Sequence, residues 1–487
     1  MKRREFSKYS LLLGLGTLAG TKISCTNPSG IRENSYMEPS RNLPAKSCDV
    51  VVAGGGTAGV VAAIASARTG AKTILIEAKG YPGGTVTEGG TALHSFYNLW
   101  TGFPGIEKRQ VVKGIGDEII QRLLPLGGTS GYPEMSAGLD YDSVCTCIDT
   151  ELYKLVVFEM LVEAGVTVYV NTLLTGAIVE GTTLKGIITE SRSGREAIYA
   201  RAFIDCTAYG DLAAHAGADF TEPNDYPVVN SIGMGNVDIR TVYNYFKKND
   251  DISQLCFRSK GDEKGPIVRV QGNMVNVPEE FKQGASENGM SMVTTTVHDN
   301  YLMFIKFNIT LPESPTNRDT VAKAELELRQ RQFKGVELWK KFIPGCEKAF
   351  IARTSPGLNI RRGRCITCDY DITHEDVIEG RHFDDEVFVY GFHDSAPRYQ
   401  VKDGGTYGFP YRAMCVKGIG NLYATGMMIT SDHRAHMSTR NTVCCFGQGQ
   451  ATGTAAALCA QKEYGSRDLP YGELRSRLEQ DGVYFES

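Results

Sequence analysis

The sequence has no excess of basic residues, no internal repeat and no low-complexity tract beyond a short tether near its start. Its 52 lysines and arginines stand against 56 aspartates and glutamates, which gives a formal net charge of −4. A chain without an excess of positive charge has little electrostatic attraction for nucleic-acid phosphates, so we expect no nucleic-acid partner. With 487 residues, it is long enough for two or three domains around a large buried core.

The cysteines also lack the spacing of a metal site. There are 13 of them, an odd number with irregular spacing, which does not suggest a disulfide framework. Cys365 and Cys368 form the one C-x-x-C pair, and no second pair exists to complete a zinc site. We therefore expect no metal and predict that most cysteines are small buried hydrophobes.

The first 25 residues have the layout of an export signal. Basic residues at 2–4 precede a modestly apolar stretch, 9–19, that is too short and too glycine-rich to span a membrane permanently. Arg3 and Arg4 resemble a twin-arginine signal, whose pathway exports folded proteins. Cys25 ends a segment that resembles a lipoprotein signal, although a lysine precedes it where such signals usually have leucine. The sequence thus predicts an exported, periplasmic or membrane-anchored protein, with a disordered basic N-terminus as the alternative.

A strand, a glycine-rich turn and a helix open the folded part of the chain. Residues 49–53 are apolar and mostly β-branched, as in a buried strand. Gly54, Gly56 and Gly59 then complete the pattern G-x-G-x-x-G, and residues 57–69 are predicted to form a helix.

This unit has the chemistry of a dinucleotide site. The glycines let backbone approach a pyrophosphate, and the helix N-terminus supplies partial positive charge. A side chain at Gly56 would block that approach. A second strand, 72–76, leads to Glu77, which lies where an acidic residue takes a ribose hydroxyl. Taken alone the unit allows NAD or FAD, and its candidate cofactor contacts are Gly54, Gly56, Thr57, Ala58, Gly59 and Glu77.

A second glycine-rich loop follows this unit. Residues 78–90 contain five glycines, which suggests backbone lying against a flat ligand rather than an ordinary surface loop. The candidate contacts in the loop are Ala78, Gly83, Gly84 and Thr85. It contains no cysteine pair, which argues against a flavin disulfide reductase.

From Cys48 to Gly465 the chain resembles the glutathione-reductase-like flavoproteins. Within them it is most similar to FAD-dependent oxidoreductases distantly related to the flavoproteins of fumarate reductase and succinate dehydrogenase. The resemblance rests on the strand-turn-helix unit, on the loop at 83–85 and on the run 203–211, which in relatives is usually I-D-A-T-G-x-G-D. Thr207 and Asp211 match that run, and both are implied to contact the cofactor.

The resemblance implies FAD as the cofactor and an α/β fold. The fold would be a Rossmann-like FAD-binding domain of glutathione-reductase type with an inserted α+β substrate domain. The predicted segments are an export signal at 1–25, a tether at 26–47, the FAD-binding domain at 48–216 and 402–487, and the substrate domain at 217–401.

The C-terminal part is expected to return to the cofactor. A strand is predicted to end at Gly426, where many relatives follow with Asp but this chain has Met427. An alanine-rich helix, expected to begin near Gly449 and Gln450, is implied to point its N-terminus at the flavin. Plain packing of this helix is the alternative.

Four residues are the candidates for catalysis. His433 and Arg440 lie just before the predicted flavin-facing helix, and His393 and Arg364 match a His-Asp pair and an arginine pair (Arg361 and Arg364) of relatives. A neutral imidazole could take a proton, and the arginines could orient a polar substrate. A structural histidine and a solvated basic patch are the alternatives for His393 and Arg364.

The resulting expectation is an exported oxidoreductase that transfers hydride between a small polar substrate, for which a sugar derivative is a candidate, and flavin N5. A fumarate-reductase-like C=C reductase and a glycan-binding surface lipoprotein remain the alternatives. The electron acceptor is unknown. His94 is a further candidate, for covalent attachment of FAD.

Overall fold

The computed structural model describes residues 36–95, 109–132, 145–249, 254–259, 266–271, 276–391, 401–430 and 432–486. The chain divides into two compact units, Met1–Leu43 and Pro44–Ser487. All regular secondary structure described below belongs to the second unit.

The strands, in chain order, are β1 (Ala45–Ser47), β2 (Val50–Ala53), β3 (Thr73–Ile76), β4 (Leu93–Ser95), β5 (Cys145–Cys147), β6 (Thr167–Tyr169), β7 (Leu173–Glu180), β8 (Thr183–Ser191), β9 (Gly194–Tyr199), β10 (Ala202–Asp205), β11 (Phe220–Thr221), β12 (Val228–Gly235), β13 (Gln254–Ser259), β14 (Pro266–Gln271), β15 (Met290–Thr295), β16 (Tyr301–Ile309), β17 (Phe350–Thr354), β18 (Cys365–Ile366), β19 (Glu386–Tyr390), β20 (Tyr407–Pro410) and β21 (Leu422–Ala424). The helices are α1 (Thr57–Arg68), α2 (Ile115–Leu123), α3 (Thr150–Glu163), α4 (Asp211–His215), α5 (Ile239–Lys248), α6 (Glu279–Glu287), α7 (Arg318–Phe342), α8 (His374–Ile378), α9 (His433–Thr439), α10 (Thr442–Lys462) and α11 (Tyr471–Gln480). Two short 3-10 helices cover Lys402–Gly404 and Tyr411–Met414.

A five-stranded parallel sheet forms the centre of the first core. Its order is β21-β10-β2-β3-β6, and every neighbouring pair is parallel. Its strands β21, β10, β2 and β3 are short, mostly apolar and fully buried, as expected where helices cover a parallel sheet. Because parallel strands point the same way, their carboxyl ends meet at one edge, and the loops that follow them are brought together there.

The predicted strand-turn-helix unit is confirmed with small shifts. The first helix spans Thr57–Arg68, and α3 begins at Thr150 because the Asp149 side chain accepts hydrogen bonds from the N–H groups of Glu151 and Leu152. The four-stranded sheet β1-β9-β8-β7 and the ribbons β4-β5, β11-β18 and β19-β20 surround the parallel sheet.

A second core lies under a six-stranded antiparallel sheet of order β13-β14-β15-β16-β12-β17. Trp339 on α7 is fully buried in this core, with the rings of Phe246 and Phe281 at its edge. The first core draws on residues 48–218 and again on residues from 366 onward, whereas the second draws on 232–349. The domain boundaries given above stay a prediction.

The prediction for the last long helix was wrong about where it begins. Helix α10 starts at Thr442, where the Asn441 side chain accepts from the N–H of Val443. Its glycines therefore lie in the helix interior, and they allow close packing. A Cβ on Gly449 or Gly453 would collide with backbone carbonyl oxygens of α1, those of Ala58 and Ala62.

The ten cysteines whose side chains are described are free and buried, as predicted for most of them. Within the described part of the chain, no three His, Cys, Asp or Glu side chains come together as a metal site. None of the helices described above is long and apolar enough to cross a membrane.

Candidate functional site

The loops at the carboxyl edge of the parallel sheet enclose a cavity of about 380 Å³. Its walls come from the turns after β2, β3, β6, β10 and β21, and from residues 357–360 and the first turns of α7. Of the sequence-predicted cofactor contacts, eight line it: Gly54, Gly56, Glu77, Ala78, Gly84, Thr85, Thr207 and Asp211.

The protein requires glycine at two of the three positions of the turn. Gly54 has a φ of +96°, and a Cβ there would lie 2.5 Å from the carbonyl oxygen of Cys206. A Cβ on Gly59 would collide with the carbonyl oxygen of Gly54. Gly56, however, has a φ of −69°, and its Cβ would lie 3.8 Å from Cys206 and 3.9 Å from Gly84, which is ordinary contact. The neighbouring protein atoms therefore do not require glycine at 56, and the predicted contact of its backbone with a cofactor stays a prediction.

The carboxylate of Glu77 braces this turn from the end of β3. It accepts hydrogen bonds from the backbone N–H groups of Gly55 and Lys79, each at 2.7 Å. Burial raises the pKa of Glu77, and the two backbone hydrogen bonds oppose that shift. The carboxylate lines the cavity, and its predicted contact with a ribose hydroxyl stays a prediction.

The second glycine loop packs directly on the first. The N–H of Gly83 donates to the carbonyl of Gly55 at 2.8 Å, and a Cβ on Gly84 would lie 2.6 Å from the Cα of Gly56. Thr85 reaches the side chain of Thr57 at 3.4 Å. The glycines of both segments therefore present bare backbone to the cavity, next to Thr85 and Glu88 of the second segment.

The run after β10 is held by a fully buried carboxylate. Asp205 accepts from the hydroxyl and the N–H of Thr207 and from the N–H of Ala213, while burial raises its pKa to about 6. The hydroxyl of Thr207 in turn accepts from the N–H of Asp211 at 2.8 Å. Thr207 and Asp211 thus shape the loop that borders the cavity.

A histidine-aspartate pair lies at the start of α9. His433 Nδ1 is 2.7 Å from Asp225 Oδ2, and the imidazole stacks on the ring of Tyr226 with centroids 4.4 Å apart. The side chain is 52% exposed. Among the described residues, His433 Nε2 has no hydrogen-bond partner.

Arg362, beside this pair, and Arg364, nearer the cavity, both hold carboxylates. Arg362, only 2% exposed, donates to the same Asp225 Oδ2 at 2.7 Å and to the carbonyl of Thr430. Arg364 donates to Asp211 at 2.8 Å and to the carbonyl of Tyr209 at 3.0 Å. Arg364 therefore fixes the loop that borders the cavity.

Arg440 differs from both. It caps the C-terminus of α9, its guanidinium carbon lies 5.5 Å from the centroid of the Tyr226 ring, and its Nη2 donates to the sulfur of Met437 at 3.7 Å. One turn earlier, His436 is fully buried with its Nε2 2.7 Å from the carbonyl of Arg361. His393 lies outside the described residues.

The comparisons with known proteins identify the family. The family model described as FAD dependent oxidoreductase matches residues 49–478. The chain belongs to this family. Its cofactor is FAD, and it is an FAD-dependent oxidoreductase. Comparison with curated proteins finds no match.

Solved structures are similar only at the level of the fold. A geranylgeranyl bacteriochlorophyll reductase-like protein from Thermoplasma acidophilum is 14% identical, with 90% of this chain and 83% of that chain covered and a TM-score of 0.42. The p-nitrophenol 4-monooxygenase PnpA from Pseudomonas putida DLL-E4 is 11% identical, with 90% and 88% covered and a TM-score of 0.44. Likeness at this level does not bear on the substrate or the reaction.

The cavity fits the FAD of this oxidoreductase family at its adenosine and pyrophosphate end. Gly56, Gly84 and the carboxylate of Glu77 all line this cavity, and a pyrophosphate would lie against Gly56 with a ribose near Glu77. Sequence reasoning missed the wall that follows β6, formed by Thr172, Leu173 and Leu174. The predicted parallel sheet could have indicated this wall, because the loops that follow the neighbouring parallel strands β3 and β6 lie at the same edge of the sheet.

Other candidates lie away from this cavity. Gly426 donates its N–H to Gln448 at 2.7 Å, and Gly449 packs on α1. The two ends of the Gln450 side chain contact the N–H of Ile115 and the carbonyl of Asp481. These residues hold α10 in the scaffold, and direct contacts with FAD from them stay predictions.

His94 is buried on β4 and is not part of the cavity wall. Its Nε2 lies 3.0 Å from the carbonyl of Thr91, its ring meets the edge of Phe446, and burial lowers its pKa to about 3. Covalent attachment at His94 stays a prediction.

Proposed function

We propose that this oxidoreductase is a dehydrogenase that removes hydride from a carbon bearing a hydroxyl group in a small polar substrate. FAD, when bound, supplies the acceptor for that hydride. The single observation that carries the proposal is the His433–Asp225 pair, with one imidazole nitrogen held at 2.7 Å and the other without a partner among the described residues.

The pair has the arrangement of a general base. Asp225 accepts a hydrogen bond from Nδ1–H of His433, which leaves the lone pair on Nε2. Nε2 can then take the proton of a substrate hydroxyl as the hydride leaves the same carbon, and the carboxylate stabilises the imidazolium that forms. Arg362 donates to the same oxygen of Asp225 and so keeps the carboxylate in position.

Anaerobic reduction of the bound flavin tests the proposal. We expect sugars, uronic acids or hydroxy acids to bleach the oxidised flavin of the wild-type protein. His433→Asn should slow the bleaching at saturating substrate by about a hundredfold or more, since general bases contribute at least that much. His215→Asn, at an exposed histidine on α4, is the matched control and should react like the wild type.

Two results would contradict the proposal. One is a wild-type flavin that no hydroxyl compound reduces but that enoates reoxidise rapidly after chemical reduction, which is the behaviour of a C=C reductase. The other is a His433→Asn protein that bleaches as fast as the wild type.

We also propose, from the sequence, that the enzyme is exported, that Cys25 carries a lipid, and that its FAD domain has the glutathione-reductase arrangement. Residues 1–35 lie outside the described part of the chain. Membrane fractionation and palmitate labelling of the full-length protein, with Cys25→Ala as the control, test the first two. Labelled Cys25→Ala protein, or wild-type protein found only in the cytosol, would contradict them.

A further inference from the structure

Arg440 carries a positive charge that no described residue neutralises. Arg362, whose guanidinium also lies by the Tyr226 ring, donates to Asp225. Arg440 instead lies over the face of Tyr226, and its Nε is buried without an acceptor among the described residues. A partly buried guanidinium of this kind is suited to a carboxylate brought by a ligand.

His436, one turn before Arg440, has a ring nitrogen that can accept a hydrogen bond but has no donor among the described residues. Its Nε2 lies 2.7 Å from the carbonyl of Arg361, so Nε2 is the protonated nitrogen and Nδ1 carries the lone pair. Nδ1 is buried and lacks a donor among the described residues, in a side chain with 0% exposure. Burial, with the charges of Arg440 and Arg362, lowers the pKa of His436 well below its ordinary value, so the imidazole is neutral.

The two groups lie around the same ring. The His436 ring is 5.2 Å and the Arg440 guanidinium 5.5 Å from the centroid of Tyr226, which also stacks with His433. The carboxylate of Asp225, next to Tyr226 in the chain, is held by Arg362 and His433. A buried donor without an acceptor thus adjoins a buried acceptor without a donor, close to the proposed base.

We propose that Arg440 and His436 bind a substrate carboxylate and a hydroxyl near it, so that the substrate is a polyhydroxy acid such as a uronic or aldonic acid. Arg440 donates to the carboxylate, and His436 Nδ1 accepts from one hydroxyl. A second hydroxyl is then available to His433. This assignment rests on the dehydrogenase function proposed above.

Matched substrates and variants of the holoenzyme test this assignment. The probes are glucuronate, its methyl ester and glucose, each titrated against the rate of anaerobic flavin reduction. The wild type should half-saturate with glucuronate at a concentration at least about tenfold lower than with the ester, because hydrogen bonds to charged groups are the stronger ones.

In Arg440→Met the half-saturating concentration for glucuronate should rise at least about tenfold, to that of the ester, while the limiting rate changes little. Arg440→Lys should restore part of the preference. Arg192→Met, at an exposed arginine in the turn between β8 and β9, removes the same charge elsewhere and should keep the wild-type preference.

The outcomes separate the two proposals. Equal half-saturation for glucuronate and its ester in the wild type, or equal weakening of both in Arg440→Met, overturns the carboxylate assignment and leaves the dehydrogenase standing. Loss of FAD absorbance from Arg440→Met and Arg440→Lys also overturns it, because the pair would then hold the cofactor. Failure of all three compounds and of every other hydroxyl compound to reduce the wild-type flavin refutes the dehydrogenase itself.

Discussion

At the scale of single residues, Ala208 has a backbone conformation that favours glycine. Its φ is +66°, in the left-handed region, where a residue with a Cβ costs about 1–2 kcal/mol. At position 208 the relatives that the sequence resembles usually have glycine. The loop between Thr207 and Asp211 therefore forms at a cost, and the buried hydrogen bonds of Asp205 offset it.

Ala208→Gly should stabilise the apoprotein. Relief of the left-handed strain exceeds the extra flexibility that glycine gives the unfolded chain, so the free energy of unfolding should rise by about 0.5 kcal/mol. Urea unfolding of the apoprotein measures it. Ala216→Gly, at a φ of −81°, is the control and should be destabilising. A less stable Ala208→Gly protein would show that the alanine is needed for packing.

His298 and Asp149 form a residue-scale contact with a defined pH dependence. Burial raises the pKa of Asp149, but hydrogen bonds from His298 and from the N–H groups of Leu152 and Glu151 outweigh it, so the pKa is lowered. A carboxylate with a lowered pKa stabilises the fold above its unfolded pKa, near 4, and loses that effect as the pH falls through its folded value.

His298→Gln should therefore cost stability at pH 5 and much less at a pH below the folded pKa of Asp149. We expect a loss of about 1 kcal/mol at pH 5, the size of a hydrogen bond to a charged group with partial exposure. Urea midpoints at the two pH values measure it, and His215→Gln serves as the control. An equal loss at both pH values would mean that Asp149 is not the group responsible.

Single residues also show where sequence reasoning was sufficient and where it was not. Gly54, Gly56 and Glu77 belong to one local motif, so their spacing predicts their place. The segment that contains Arg361, Arg362 and Arg364 has no motif with a defined spacing. The resemblance favoured Arg361 and Arg364, whereas the buried arginine that holds Asp225 is Arg362. In an irregular segment the sequence does not determine which of two neighbouring side chains faces inward.

At the scale of elements, α1 and α10 cross with their backbones nearly in contact. Glycine in a helix interior costs about 1 kcal/mol relative to alanine, so propensity alone favours a helix that begins after the glycines. The close approach of α10 to α1 outweighs that cost. Helix propensity alone therefore predicted the wrong first residue for α10. The packing that offsets the cost of its glycines comes from α1, almost 400 residues earlier in the chain.

Gly453→Ala should be strongly destabilising. The added Cβ would lie 2.8 Å from the Cα of Ala62 and would overlap its carbonyl oxygen, and backbone cannot yield as a side chain can. We expect a loss of about 2–3 kcal/mol in the free energy of unfolding. Gly472→Ala on α11, where a Cβ meets nothing within 4 Å, is the control. Equal stability of the two variants would refute the proposed packing.

At the scale of the whole molecule, the cofactor site and the proposed base are assembled from distant parts of the chain. The cavity draws on five strand ends and on α7, and His433 meets Asp225 across 208 residues of sequence. The parallel sheet explains why the strand ends that line the cavity come together. No sequence spacing predicts the contact between His433 and Asp225, because Asp225 precedes the six-stranded sheet and His433 follows it.

The central claim is that FAD lies against bare backbone at the edge of the parallel sheet, and Gly56→Ala tests it most directly. The measurement is FAD titration of the apoprotein by flavin fluorescence, with thermal unfolding of the same sample. The account predicts an apoprotein as stable as the wild type, since the added Cβ has room, and at least about tenfold weaker FAD binding. Wild-type affinity for FAD in a folded Gly56→Ala protein would contradict it.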